Sequence, residues 1–450
     1  MNLAILLIAA HVWRAAPVDA FARVTLAIAA LSIEMQAVTL LGAGSLSSLV
    51  LVNAAVAAAC LLAWRQPRSP SLDGIASRAS GTALPWVAIG ALTAIALLLA
   101  SRPLVGADPY HLDRVAQIQR LGTLAYDTTA DIKVNVLASS YELVLADLAQ
   151  TPWVGGLLLR LHALFGLAYF TLGVAAVRQW LPGGRRWCWS AVFLVPAVFH
   201  QLAFVKNDLY SATPALVALA WIVVRVRDAS TREVAAAAAL TGMAVAMKWV
   251  AFPLALVMTA WLVWHRGRDG AALGALVLGG LAGAAAGGLP FTLAQTARWY
   301  GHAIEPLGAL GNRTTGAADA LTSVGRFAIS LLDFGALTRR WWPGRGGWGA
   351  TFGAPFIWAA LVAAAQWTSP VVRAAAGVAA GYFVAFAAMY PDADVAHRLV
   401  LAPGLLLIAV AAQQTEGDDT RGRWTRRLLA LALAVSAIQI GRSVWLYLSA

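Results

Sequence analysis

Apolar runs recur from one end of the chain to the other, most of them about 17 to 25 residues long and separated by short polar joints. They are too long for barrel strands. A hydrocarbon layer accepts only helices or closed barrels, because every backbone N–H and C=O must be paired inside the structure. The pattern therefore predicts an all-α, polytopic transmembrane bundle of about fourteen spans, at roughly 2–13, 22–42, 46–64, 82–100, 153–177, 187–204, 209–225, 233–247, 249–264, 271–293, 353–368, 373–390, 399–414 and 427–447. Two polar stretches are long, 101–152 and 294–352. Within the first, the apolar spacing from Leu112 to Leu121 predicts an amphipathic helix lying at the membrane surface. The solvated joint Arg65-Gln66-Pro67-Arg68-Ser69-Pro70-Ser71 divides the N-terminal transmembrane helices (1–80) from a core module (81–410); a C-terminal loop and last helix (411–450) follow.

Composition makes lipid the solvent: 60% of the 450 residues are hydrophobic and 12% charged, with a mean hydropathy of +0.71. Small-residue stretches such as Gly279-Gly280-Leu281-Ala282-Gly283 predict closely approaching helices. The formal charge of +12 is spread singly or in pairs at span ends, which excludes a basic nucleic-acid-binding domain and gives these residues an orienting role. Threading the spans alternately gathers Arg65, Arg68, Arg78, Arg185, Arg186, Arg225, Arg227, Arg232, Arg266, Arg268, Arg373, Arg421, Arg423, Arg426 and Arg427 on one side, which the positive-inside rule makes cytoplasmic. The two long polar stretches then lie outside; the arginines of the second oppose this orientation, but long loops translocate largely regardless of charge. Cys60 and Cys188 fall in or beside apolar runs and support neither a disulfide framework nor a thiolate site. The first run, Asn2 to Trp13, has no basic leader and no small-residue exit, and reads as a retained helix.

The candidate chemistry lies at the outer side. Asp108-Pro109-Tyr110-His111 follows an apolar run directly, so a carboxylate, a phenol and an imidazole reach the membrane surface together. Asp108 there is either a general base or the N-cap of the next helix, with Pro109 in its first turn. Glu142 is a second acid/base candidate, or else belongs to a solvated face. Lys206 and Lys248, with Lys133 the only lysines, and Arg398 stand at span ends, where they either meet an anion or snorkel from the bilayer. Asp208 joins the site, pairs with Lys206 or caps the helix starting at Leu209. His111 and His397 read first as interfacial helix-end residues, and Trp341-Trp342 as part of an aromatic belt.

In order along the chain, Asp108 to Arg114, Gly122-Thr123-Leu124-Ala125-Tyr126 and Tyr141-Glu142-Leu143 resemble the first outer loop of bacterial GT-C glycosyltransferases, which use polyprenyl-phosphate sugars. Val205-Lys206-Asn207-Asp208-Leu209 resembles their Lys-Asn-Asp-Leu helix junction. Gly242 to Lys248 resembles their Gly-to-Lys helix end, and Gly346-Gly347-Trp348-Gly349 their Gly-rich stretch before a later helix. Arg398-Leu399-Val400-Leu401-Ala402-Pro403 resembles their Arg-to-Pro helix start. Tyr300 to Pro306 is similar to their Gly-Asn-Pro loop, from which His302 and Glu305 depart. The likeness covers about residues 82–405, and the shared order of short motifs carries it.

The resemblance implies a GT-C-like enzyme of the dolichyl-phosphate-mannose or aminoarabinose transferase kind in a bacterial inner membrane, its active site on the extracytoplasmic face. It implies transfer of a hexosyl or pentosyl group from a polyprenyl-phosphate donor to a lipid, glycan or protein acceptor. Asp108 is the position that matches the family's required Asp, with Glu142 a second catalytic candidate. The expected substrate-binding residues are Tyr110, His111, Lys206, Asp208, Lys248, Glu305, His397 and Arg398. No cofactor is expected: no His-x-x-x-His or Cys-x-x-Cys spacing points to a metal and no Walker-type loop to a nucleotide, while a divalent cation at the outer carboxylates stays open. Two other classes remain, a secondary transporter or lipid flippase and an O-antigen polymerase or ligase. A transporter would place ionisable residues near the bilayer midplane, where Glu34 is the clear exception among spans almost without charge.

Overall fold

The computed structural model describes residues 17–40, 85–101, 110–121, 140–150, 153–203, 207–267, 269–300, 316–331, 351–390, 397–417 and 419–449. Within these residues the chain is all-helical and has no strand. The helices are α1 (Pro17–Leu40), α2 (Trp86–Ala100), α3 (Tyr110–Leu121), α4 (Ser140–Ala149), α5 (Gly155–Arg160), α6 (His162–Trp180), α7 (Ser190–Phe193), α8 (Pro196–Ala203) and α9 (Asp208–Arg225). They continue with α10 (Thr231–Met247), α11 (Phe252–Arg266), α12 (Gly270–Ala286), α13 (Leu289–Tyr300), α14 (Ala317–Ser330), α15 (Ala354–Ala365), α16 (Pro370–Met389), α17 (Leu401–Gln413) and α18 (Thr420–Ser449).

Three of these are long and apolar enough to cross a membrane: Asp208–Arg225, Pro370–Met389 and the Thr420–Trp445 part of α18. The shorter α2, α12, α15 and α17 are also apolar, and together these helices suggest a membrane protein. The expected runs at 2–13 and 46–64 lie outside the described residues. Others are helical but interrupted. The run expected at 187–204 is broken at Leu194-Val195, because Pro196 has no N–H to give and disfavours helical geometry in the residue before it. The freed turn is tied elsewhere, Ala197 N–H donating to the Thr351 carbonyl at 3.0 Å. Likewise the run at 271–293 ends at Ala286 and restarts at Leu289 after Gly287-Gly288, where Gly288 takes φ +97°.

Helix α9 is the centre of the bundle. It is apolar all round, and every residue from Asp208 to Ile222 is buried. It packs on α6, α10 and α17, while α1 lies along α6, and α15 and α16 flank α17. The closest helix pair is α10 with α12. A Cβ placed on Gly279 or Gly283 would run into the carbonyls of Ala235 or Ala239, and one on Gly242 into that of Gly280. Helix-to-helix contact at backbone distance needs these small residues, as the Gly-rich stretch predicts.

Two ends of the bundle can be distinguished. At one, α9 begins beside the end of α10, and the 3-10 turns Trp249–Ala251 and His397–Val400 pack together. At the other, Ser230 and Glu233 form a capping box that starts α10, and Asp269 caps α12 through the Ala271 and Ala272 N–H groups. Arg225 reaches Glu233 at 3.2 Å and Arg266 reaches Asp269 at 2.7 Å. The arginines predicted to share one side at these four helix ends do share one.

Candidate functional site

At the first end, the chain leaves α10 through Lys248, which is extended (φ −156°, ψ 112°), and re-enters helix at α11 after the turn Trp249–Ala251. This extended residue turns the Lys248 ammonium back over the start of α9. There it forms an ion pair with Asp208 and donates to Asn207 Oδ1 at 3.1 Å. The other end of the Asn207 amide donates to the Met247 carbonyl at 3.3 Å and so covers one of the last acceptors of α10. A carboxylate at a helix start and an ammonium at a helix end both match the helix dipoles, which is the structural reason for these residue types here. Asp208 is buried; Lys248 keeps 17% of its side chain exposed.

This arrangement corrects the expectation that Asp208 caps the helix. Asp208 pairs with Lys248, 40 positions further on, and it is the first residue of α9 rather than its cap. Asn207 holds the cap position, with no side-chain capping bond. Lys206 lies outside the described residues. The turn that carries His397 and Arg398 packs against Trp249–Ala251 and α9, so its backbone stands next to Lys248. Asp108 and Glu305 also lie outside the described residues, as do Trp341 and Trp342. Tyr110 is the first residue of α3, so Asp108 stands two positions ahead of that helix.

The surface helix expected over 112–121 is present as α3, but its inward face carries polar side chains. His111, Arg114 and Gln117 are buried with Val115 and Ile118, at the i, i+3, i+4, i+7 spacing of one helix face. His111 Nδ1 meets Glu142 Oε1 in a buried ion pair that joins α3 to α4. The interfacial reading of His111 and the solvated reading of Glu142 are thereby overturned: their side chains are 1% and 0% exposed. A carboxylate leaves water only when its partners are in place, and here two short helices fold around it. Burial pushes the Glu142 carboxyl up, but the charge and hydrogen bond of His111, with Arg114 behind them, outweigh it and hold the group below the ordinary glutamate value. Burial, and after it the Glu142 charge, push the neighbouring Tyr141 hydroxyl far above the usual phenol range.

From this pair a run of buried aromatic and hydroxyl groups leads into the bundle. Tyr141 OH lies 3.1 Å from His162 Nδ1, and the Tyr141 and Tyr210 rings are 5.4 Å apart. Tyr210 in turn lies 5.9 Å from Tyr169, whose hydroxyl is 3.0 Å from Thr25 Oγ1 on α1. Tyr210 is two residues beyond Asp208 on α9, and the Glu142 charge reaches it. Two atoms in this region, Glu142 Oε2 and the Tyr210 hydroxyl, are buried and make no hydrogen bond to the described residues.

No protein-family model, curated protein or solved structure matches the chain. The site thus stands on its own geometry. Sequence reasoning missed Asn207, His162 and Tyr210. Asn207 carried a signal, lying inside the quoted Lys-Asn-Asp junction, whereas His162 and Tyr210 sit in apolar runs that read as plain core. It also passed over Asp392-Ala393-Asp394, whose alternating carboxylates are a spacing that can hold a divalent cation; both lie outside the described residues. Among the described residues, no three His, Cys, Asp or Glu side chains group closely enough to hold a metal ion.

Proposed function

We propose that the chain is a bacterial inner-membrane glycosyltransferase of the GT-C type, with about fourteen spans, that moves a sugar from a polyprenyl-phosphate donor to an extracytoplasmic lipid, glycan or protein acceptor. The observation that carries this reading is the meeting of chain segments far apart in sequence at one end of the bundle. Lys248 and Asp208 are paired there, and the turn bearing His397 and Arg398 packs beside them.

The chemistry asked of such a site is a single displacement. The acceptor hydroxyl oxygen forms a bond to the anomeric carbon, the bond from that carbon to the phosphate oxygen breaks, and the hydroxyl proton passes to a base. In this reading Asp108 is the base. Lys248, Lys206 and Arg398 stabilise the charge that grows on the leaving polyprenyl phosphate, in a setting of low dielectric where such contacts are strong. Asp208 then holds Lys248 in place until the phosphate arrives.

The deciding experiment is transfer from lipid-linked sugars in membranes carrying the Asp108→Asn chain. Loss of transfer at normal expression supports the reading, and full transfer removes it. One observation favours a second reading, a transporter. Glu34 on α1 is 5% exposed, its oxygens make no hydrogen bond to the described residues, and Asp147 is within its electrostatic reach. Substrate movement in vesicles that Glu34→Gln abolishes and Asp108→Asn spares would establish that alternative.

A further inference from the structure

The turn between α4 and α5 brings the chain back closely on itself. Gly155 lies so near the Ala149 carbonyl that a Cβ there would run into it, and α5 packs along α4. In this turn Trp153 takes φ +63°, a positive value that no other non-glycine among the described residues adopts. The left-handed region crowds the Cβ of an L-residue against the following carbonyl, so glycine or asparagine is what the turn itself asks for. No packing within the chain offsets that strain, because Trp153 is fully exposed (103%). A large apolar ring held in a costly backbone state and turned away from the protein has its role outside the protein.

The depth of this ring follows from the helix it precedes. Helix α6 starts at His162, whose Nδ1 lies 3.1 Å from the Tyr141 hydroxyl, and ends at Trp180, near the end of α17, where Gln413 Nε2 donates to the Pro182 carbonyl at 3.3 Å. Helix α17 starts at the turn His397–Val400, so α6 runs from the candidate-site end of the bundle to the other. Its 19 residues rise about 28 Å, close to the hydrocarbon thickness of a bilayer, about 30 Å. Trp153 and α5 come before this span and so stand at the headgroup level on the candidate-site side. Leu157 on α5 and Phe165 on α6 are exposed as well, so the surface stays apolar from the turn into the span.

We infer that the α4–α5 turn is a membrane-surface anchor: the Trp153 ring sits among the phospholipid headgroups of that leaflet and ties α4, which carries Glu142, to the bilayer. Indole suits this layer, its rings lying against the acyl-chain boundary and its N–H meeting headgroup oxygens. The headgroup layer is favoured over a second copy of the chain or a soluble partner because the ring stands at interface depth, where the exposed apolar surface of the span begins. The proposal needs a bilayer around the bundle but is independent of the sugar-transfer reading.

The test reads the depth of position 153 in phosphatidylcholine vesicles. Trp153→Cys in a Cys60→Ala/Cys188→Ala chain is labelled with bimane, and the vesicles carry a nitroxide either on the headgroup or near the acyl-chain ends. The headgroup nitroxide is expected to quench at least about twofold more than the deep one. Stronger quenching by the deep nitroxide, or quenching by a water-soluble agent with neither nitroxide acting, would overturn the proposal. Should that chain not fold, amide exchange of α4 in the same vesicles decides with two variants of the otherwise native chain. Trp153→Gly is expected to speed the exchange about tenfold, whereas Trp153→Tyr, which keeps an interfacial ring, stays near the native rate. A native rate in Trp153→Gly, or an equal rise in both variants, also overturns it.

Discussion

Lys248 and Asp208 lie 40 residues apart and close the joint between α10 and α9 with an ion pair, the acid buried and the base partly exposed. Removing one partner from such a pair strands the other charge, which costs about 3 to 5 kcal/mol where burial is deep. Asp208→Asn and Lys248→Met are each expected to lower the melting temperature sharply, and the double variant to recover part of the loss. A double-mutant cycle from thermal unfolding in detergent measures this. Strictly additive losses would show that the two charges are not coupled.

Acid should act through Glu142. Its carboxyl is held below the ordinary value of 4.5 despite burial, because His111 pairs with it and Arg114 lies behind. A group whose folded value is depressed adds stability above its unfolded value, and that stability disappears as pH falls through the folded one. The native chain is therefore expected to lose stability relative to Glu142→Gln as pH falls below about 4.5. Melting temperatures of both chains below that pH check it, and a margin that widens there with acid would reverse the assignment.

The α10–α12 contact makes opposite predictions for two glycines of one helix. Gly283 faces the Ala239 backbone with no space for a Cβ, whereas Gly274 has nothing within 4 Å of that position. Gly283→Ala must push the helices apart and is expected to destabilise the chain by about 1 to 3 kcal/mol. Gly274→Ala relieves only the conformational freedom of glycine and is expected to stabilise by about 0.5 to 1 kcal/mol. Unfolding in denaturant reports both signs directly.

The sequence pattern predicted the helical class, the polar interruptions and the side shared by the arginines at the four helix ends, because hydropathy and charge are properties of single segments. It did not predict where the partners of the site residues lie. The pairing of Asp208 with Lys248 was not among the expectations for Asp208, because only the fold brings the end of α10 over the start of α9. His111 and Glu142 read as surface groups because a polar residue on a short amphipathic helix usually faces water. The α3–α4 packing turns both inward, and periodicity cannot distinguish the two faces when the buried one is itself polar. Span lengths were overestimated where Pro196 and Gly287-Gly288 break helices inside uniformly apolar runs.

Tyr141 and Tyr210 separate structural from functional hydroxyls. The Tyr141 hydroxyl bonds His162, so Tyr141→Phe leaves a buried ring nitrogen without this partner and is expected to cost about 1 to 3 kcal/mol. The Tyr210 hydroxyl, buried within reach of the Glu142 charge, makes no hydrogen bond to the described residues. Tyr210→Phe keeps the ring contacts with Tyr141 and Tyr169 and should change stability by less than about 0.5 kcal/mol. In the proposed transferase that hydroxyl is available to substrate, and its removal is expected to slow transfer about tenfold, the worth of roughly one hydrogen bond. Melting temperature and transfer rate measured on the same Tyr210→Phe preparation decide the point. Unchanged transfer would assign Tyr210 to packing alone, and a large loss of stability would mean that its hydroxyl already has a partner.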